Sequence, residues 1–275
     1  MTIQARIEGM RPCAIELKRV GGRALRVAVW KAEGQEAARP LLFFNGIGAN
    51  IEVMAPLAEW FRDRDVITFD MPGVGKSPRP VIPYTPWSMA WRAARLLDKL
   101  GYDKVDVMGV SWGGGMAQQF AFQHASRAGK LVLAATSAGM FMVPGKFASL
   151  SRMASPRRFI DREFLLKNFQ VLYGGNDDGS NAHAGRLSPP SRRGYLYQLG
   201  AMFGWTSVWF LPLLKAKTLI LMGDEDNVVP PVNGTILKSL MPRARLEIVR
   251  GGHLFLVSSA PELAPMIRAF LGEPD

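Results

Sequence analysis

Val105-Asp106-Val107-Met108-Gly109-Val110-Ser111-Trp112-Gly113-Gly114-Gly115-Met116 is the stretch on which the reading of the fold turns. An apolar, strand-like run enters a Gly-x-Ser-x-Gly pentapeptide, and a helix-like run leaves it through Gln118, Gln119 and Phe120. A strand that reverses directly into a helix forces its serine into a strained backbone conformation. Glycines are needed on either side, because bulkier residues would clash across the turn. The serine oxygen then stands above the end of the strand, close to a helix N-terminus that favours negative charge. The pentapeptide alone is common by chance, so a base, an acid and an oxyanion site must come from elsewhere in the chain.

Sites of this kind run serine, acid, histidine, each at the end of a strand. Of the three histidines, His253 lies in Gly251-Gly252-His253-Leu254, directly after the strand candidate at residues 245–249. His124, near a helix end, and His183, in a polar loop, read as surface or capping residues. For the acid, the apolar run Thr218-Leu219-Ile220-Leu221-Met222-Gly223 empties into Asp224-Glu225-Asp226. Asp226 is the choice, because the Gly-x-x-Asp-x-x-x-Pro spacing places it in the loop beyond the strand, whereas Asp224 suits a turn or helix cap. His253 would take the Ser111 proton and return one to a leaving alcohol, with Asp226 fixing the imidazole tautomer. The backbone N–H groups of Trp112, after the nucleophile, and Ile47, in the loop after Leu41-Leu42-Phe43-Phe44, are the oxyanion donors, each worth roughly 10²–10³ in rate.

Six apolar runs read as strands, at residues 41–44, 66–69, 105–110, 131–134, 218–222 and 246–249. Helical patterns at 89–100, 112–122 and 261–271 separate several of them. Such alternation implies an α/β fold, a mostly parallel sheet covered by helices on both faces. Residues 15–30, with Gly21-Gly22 as a turn, add an antiparallel hairpin at the edge. The alternation stops between about residues 139 and 217, where no strand pattern occurs. The division is a core at 1–138, a mainly helical cap or lid inserted at 139–217, and the rest of the core at 218–275. The inserted segment carries 11 Lys and Arg against 4 Asp and Glu, so most of the chain's formal +11 sits there, together with 12 of its 27 aromatic residues. A basic, aromatic lid suits an apolar substrate met at an anionic surface. The blander reading is that the aromatics form the lid's own core while its arginines face solvent.

Other classes are set aside on composition. No apolar signal-peptide core occurs in residues 1–8, so a cytoplasmic location is expected. One cysteine, Cys13, and three scattered histidines offer no metal-ligand spacing, so neither a metal nor a cofactor is expected. The uncharged run at 194–214 is interrupted by Gly200, Gly204 and Pro212 and is not read as a transmembrane segment. Gly75-Lys76-Ser77 lacks the glycine that a phosphate-binding loop needs at position 70. The basic charge has no base-stacking or groove-reading motif beside it, so nucleic acid is not an expected partner.

Further stretches give the chain a more specific likeness. They are Phe44-Asn45-Gly46-Ile47-Gly48-Ala49-Asn50 and Phe69-Asp70-Met71-Pro72-Gly73-Val74-Gly75 in the core, and Val143-Pro144-Gly145-Lys146, Met153-Ala154-Ser155-Pro156-Arg157-Arg158 and Gly204-Trp205-Thr206-Ser207 in the inserted segment. Gly252-His253-Leu254-Phe255-Leu256 completes the set. With these the chain resembles the intracellular depolymerases of medium-chain-length polyhydroxyalkanoates, which belong to the α/β-hydrolase superfamily. The resemblance implies an α/β-hydrolase fold with a cap, and Ser111, Asp226 and His253 on the catalytic positions. It also implies cleavage of ester bonds in a storage polyester, through an acyl-enzyme, to 3-hydroxy acids or oligomers. The polyester granule would be the partner, with the basic aromatic cap at its surface. Ile51-Glu52-Val53-Met54-Ala55 and residues 176–190 depart from the family pattern and bear on side-chain length preference. Two rivals remain. One is a soluble carboxylesterase, lactonase or carbon–carbon bond hydrolase with a small substrate; the other is a non-catalytic binding protein of the same fold.

Overall fold

Apolar strands and the helices between them assemble into one nine-stranded sheet in a computed structural model that describes residues 3–5, 11–34, 37–155, 157–175 and 180–275. The strands are β1 (Ile3–Ala5), β2 (Cys13–Val20), β3 (Arg23–Trp30), β4 (Ala38–Phe44), β5 (Arg64–Phe69), β6 (Val105–Val110), β7 (Ala128–Ala134), β8 (Thr218–Gly223) and β9 (Ala244–Val249). Their spatial order is β1-β2-β3-β5-β4-β6-β7-β8-β9. The first three pairings are antiparallel and the remaining five are parallel. The hairpin of β2 and β3 turns at Gly21-Gly22, as expected from sequence, and β1 is a further edge strand that the sequence reading did not include. Expectations for residues 1–8 and 176–190 lie in part outside the described residues, as does Pro156.

β4 decides where a site can form. It pairs with β5 on one side and β6 on the other, so the strand order reverses there. At such a switch point the loops leaving the carboxyl ends of neighbouring strands diverge and leave a crevice. The loops after β4 and β6 are those that carry Ile47 and Ser111.

Between β4 and β7 lie α1 (Ile51–Ala58), α2 (Pro86–Leu100) and α3 (Trp112–Gln123). Between β7 and β8 come α4 (Phe147–Ala154), α5 (Arg157–Ile160), α6 (Arg162–Lys167), α7 (Phe169–Tyr173), α8 (Ser180–Arg186) and α9 (Arg192–Met202). Among the described residues this inserted stretch has no strand, only an isolated bridge between Gly139 and Thr206. The chain finishes with α10 (Val232–Leu240), α11 (Phe255–Ser258) and α12 (Ala260–Gly272). Among the described residues no helix is long and apolar enough to cross a membrane.

Strand periodicity divides the core in two. Leu42, Phe44, Val107, Leu131, Leu133 and Ile220 face α2, α3 and α10, while Leu41, Phe43, Met108, Val132, Leu219 and Leu221 face α1 and α12. β7 and β8 are buried along their whole length, which is why Leu131–Ala134 and Leu219–Met222 read as continuous apolar runs rather than alternating ones. α2 begins at Pro86, earlier than its apolar period shows. Thr85 and Ser88 form a reciprocal capping box and Pro86 pre-sets the first turn, while Gly101 ends the helix in the left-handed region.

Candidate active site

Ser111 sits between β6 and α3 with φ 55° and ψ −124°. Ser111 and Ala135 are the two non-glycine residues with positive φ among the described residues. A residue held there costs on the order of 1–3 kcal/mol, which its surroundings must offset. They do so with fixed hydrogen bonds. The Ser111 N–H donates to the Ala134 carbonyl at 2.9 Å, and its own carbonyl accepts from the Gly114 N–H and the Thr136 hydroxyl at 2.9 and 2.7 Å. A Cβ on Gly109 would strike the Gly113 carbonyl, and one on Gly113 would strike the carbonyls of Phe44 and Asn45. The glycines are thus required by contact between backbones.

The loops after β8 and β9 bring two further side chains to this point. His253 Nε2 lies 2.8 Å from Ser111 Oγ, and His253 Nδ1 lies 2.8 Å from Asp226 Oδ2. Asp226 and His253 are both buried. The other carboxylate oxygen of Asp226 accepts from the N–H groups of Val228 and Val229, each at 2.8 Å. A carboxylate can only accept, so Nδ1 carries the proton and Nε2 is left to accept from the serine hydroxyl. The imidazole is held from both sides. Its backbone N–H donates to the Tyr173 carbonyl at 2.6 Å, and its ring lies parallel to that of Tyr173, 8° apart in plane with centroids separated by 6.4 Å. Asp224 does not reach the site; it accepts from the Gly251 N–H at 2.9 Å and so props the loop that carries His253. A proton can pass from Ser111 Oγ to Nε2 while the resulting imidazolium faces a carboxylate.

The loop after β4 is fixed by polar side chains that sequence reasoning missed. Gln198 on α9, wholly buried, accepts from the Gly48 N–H through its side chain at 2.9 Å. Its backbone carbonyl accepts from the Trp112 indole at 2.9 Å, so one residue of the inserted segment ties this loop to the serine turn. Asn50 stands where a helix cap would, yet its side chain makes no cap bond. It donates to the Arg186 carbonyl and accepts from the Ser188 N–H, both at 3.0 Å. Beneath the loop, Asp70 accepts from the Ile51 N–H at 2.7 Å and pairs with Arg26 at 3.1 Å, while Arg26 also binds Glu52 at 2.7 Å. Burial pushes the Asp70 carboxyl up to about 6 against the pull of Arg26. A composition-level signal for these residues hardly exists, since a single glutamine or asparagine carries no preference for burial of its own.

Two cavities meet at the serine. One is lined by Asn45, Val53, Tyr173, His253 and Leu256. The other is lined by Trp112, Met140, Met142, Met202 and Trp205. Ile47, Ser111 and Met153 border both. Ile47 therefore stands at the junction of the two cavities, and Trp112 borders the second of them.

The two remaining histidines separate. His124 caps the end of α3, half-buried. His183 is not the surface residue expected from its polar surroundings: it lies buried on α8, edge-on to the rings of Phe169 and Tyr173, and borders the first cavity. Burial, reinforced by Arg158 and Arg186, holds its imidazole down to about 4. It is neutral at pH 7.

Residues 39–260 match the model of the alpha/beta hydrolase fold family. The chain is 42% identical to a poly(3-hydroxyalkanoate) depolymerase of Ectopseudomonas oleovorans over 95% of this chain and 93% of the relative. It is 28% identical to a 2-hydroxymuconate semialdehyde hydrolase of Pseudomonas putida over 77% of this chain and 78% of that one. Among solved structures, an esterase of Exiguobacterium antarcticum superposes with a TM-score of 0.78 at 20% identity, covering 94% of this chain and 99% of the other, which is a likeness of fold.

Proposed function

The chain belongs to the alpha/beta hydrolase family and is an ester hydrolase related to poly(3-hydroxyalkanoate) depolymerase; from that premise we propose that it cleaves poly(3-hydroxyalkanoate) chains with medium-length side chains. Ser111 is the nucleophile, His253 the general base and acid, and Asp226 the residue that orients and charges-balances the imidazole. The observation that carries this is the hydrogen-bonded line from Asp226 through His253 to Ser111, opening onto two cavities.

The Ser111 oxygen attacks the carbonyl carbon of a chain ester as its proton moves to Nε2. The tetrahedral oxyanion takes hydrogen bonds from the N–H groups of Ile47 and Trp112, in place before charge develops. Collapse breaks the bond to the alcohol oxygen, which receives the proton from Nε2. Water, deprotonated by the same nitrogen, then frees the acyl group as a 3-hydroxy acid or oligomer. The methionine, tryptophan and valine walls of the second cavity suit alkyl side chains of several carbons, because these surfaces offer little that could hydrogen-bond a polar one.

A polymer particle must be met at a surface, and the inserted segment supplies one. Phe141, Phe147, Phe203 and Trp209 are between 54% and 91% exposed, and Phe141 meets Trp209 edge-on. Met140, itself exposed, borders the second cavity, so this apolar surface runs into the site. We assign association with the polyester granule to it, with the net positive charge of residues 139–217 drawn to an anionic particle coat.

Clearing of a poly(3-hydroxyoctanoate) latex by the purified protein, beside Ser111→Ala and a short-chain ester, tests the reading. Clearing that depends on Ser111 is expected. Brisk hydrolysis of the short ester without clearing would replace it with a small-ester hydrolase.

A further inference from the structure

The first cavity holds a cation that the reaction so far leaves unused. Arg158, on α5, is 4% exposed and borders the same cavity as Ser111 and His253. No aspartate or glutamate lines that cavity, and among the described residues the hydrogen-bond partners of Arg158 are tyrosine hydroxyls, with no carboxylate. Its guanidinium packs over the ring of Phe159, 4.1 Å from the centroid. It donates to the hydroxyls of Tyr173 at 3.5 Å and Tyr195 at 3.2 Å, and its Nε has no partner. Three of its five N–H donors are therefore unspent. A buried charge left in this state is costly unless an anion joins it, and the fork of an arginine fits a carboxylate with two parallel hydrogen bonds.

Position says which carboxylate. Tyr173 lies ring-parallel to His253 and touches Arg158 with its hydroxyl, so the guanidinium stands one tyrosine side chain away from the imidazole. His253 borders the first cavity but not the second. An alcohol that takes its proton from Nε2 leaves through the first cavity, so the acyl part occupies the second.

Building on the proposed polyester cleavage, we infer that Arg158 anchors the free carboxylate at the end of the polyester chain, so that the enzyme removes units one at a time from the carboxyl-terminal end. The terminal unit lies in the first cavity with its carboxylate on Arg158 and its 3-oxygen in the scissile ester. Ser111 Oγ bonds to the carbonyl carbon of the preceding unit, the ester C–O bond breaks, and the departing oxygen takes the proton held by Nε2. A 3-hydroxy acid leaves with its carboxylate intact. Water then adds to the acyl-enzyme carbonyl, releases Ser111 and creates a new chain-end carboxylate. The shortened chain re-enters by moving that carboxylate one unit forward, onto Arg158.

A 3-hydroxyoctanoate trimer tests this, offered with a free carboxyl group or as its methyl ester and with the carboxyl-terminal unit isotopically labelled. The wild-type enzyme should favour the free acid in kcat/KM by roughly 10- to 100-fold, the range of a hydrogen-bonded charge pair, and release the labelled monomer first. Arg158→Met should bring the ratio of acid to ester close to one, and Arg158→Lys should keep part of it. Equal kcat/KM for both trimers with wild-type enzyme, or first release of an unlabelled monomer, would overturn the anchor while leaving polyester hydrolysis standing. These two results need no variant to fold. Failure to cleave either trimer or the latex would instead remove the polyesterase reading itself.

Discussion

Replacing Asp226 with asparagine tests the proposed acid with almost no change in shape. The carboxylate accepts three hydrogen bonds at 2.8 Å, two from Val228 and Val229 N–H and one from His253 Nδ1. The asparagine carbonyl can keep the two backbone bonds, which turns its NH₂ toward Nδ1. That group donates, so Nδ1 must give up its proton and the imidazole carries its hydrogen on Nε2, facing Ser111. Nε2 can then no longer accept the serine proton, and the imidazolium that would form has lost its counter-charge. The same exchange of tautomer in the serine–histidine–aspartate template costs about 10⁴ in kcat, equivalent to about 5.5 kcal/mol in the barrier. Hydrolysis of p-nitrophenyl octanoate at pH 8, with circular dichroism to establish folding, measures it. Asp224→Asn is the matched control, since Asp224 only props the Gly251 turn, and it should stay within a few fold of wild type. A folded Asp226→Asn protein with more than a tenth of wild-type kcat would refute the reasoning, as would equal losses in the two variants.

Three further outcomes follow from the same geometry. Gly113→Ala drives a methyl group into the Phe44 and Asn45 carbonyls, so urea denaturation should show a loss of about 1–3 kcal/mol or more, together with loss of activity. Gln198→Leu leaves the Gly48 N–H without its partner, loosening the loop that carries Ile47; kcat should fall roughly 10- to 100-fold with KM little changed, because the proposed Ile47 donor would act mainly in the transition state. His183, held down to about 4, binds a proton more readily in the unfolded chain, where its value is near 6.5. Its contribution to stability is therefore complete above about pH 6.5 and is lost as the pH falls through 4, on the order of 3 kcal/mol in all. His183→Gln should flatten the dependence of unfolding free energy on pH between 6.5 and 4, and a slope identical to wild type would show that the burial argument is wrong.

Features set by neighbouring residues were legible in the chain. The strand–turn–helix around Ser111 shows in sequence because an apolar run, two glycines and a helical run impose their geometry within a dozen residues. The fully buried strands show for a similar reason: β7 from Leu131 and β8 from Leu219 have helices on both faces, so successive positions there are apolar. Asp226 could be picked out because it follows β8, and His253 because a glycine-flanked turn carries it off the end of β9, although nothing in their spacing says that they meet. Boundaries were less legible, as at Pro86, where capping rather than apolar period starts the helix.

What tertiary structure alone decided is the polar interior. Gln198, Asn50, Arg158 and His183 are polar side chains with no preference of their own for burial, and each is buried because segments far apart in the chain close over it. Gln198 reaches Gly48 across 150 positions, and Asn50 reaches Ser188 across 138. A hydrophobic residue carries its preference for burial wherever it stands, so the core is written in the chain. A buried polar side chain is stable only when particular partners arrive at hydrogen-bond distance, and those partners exist only once the chain has folded.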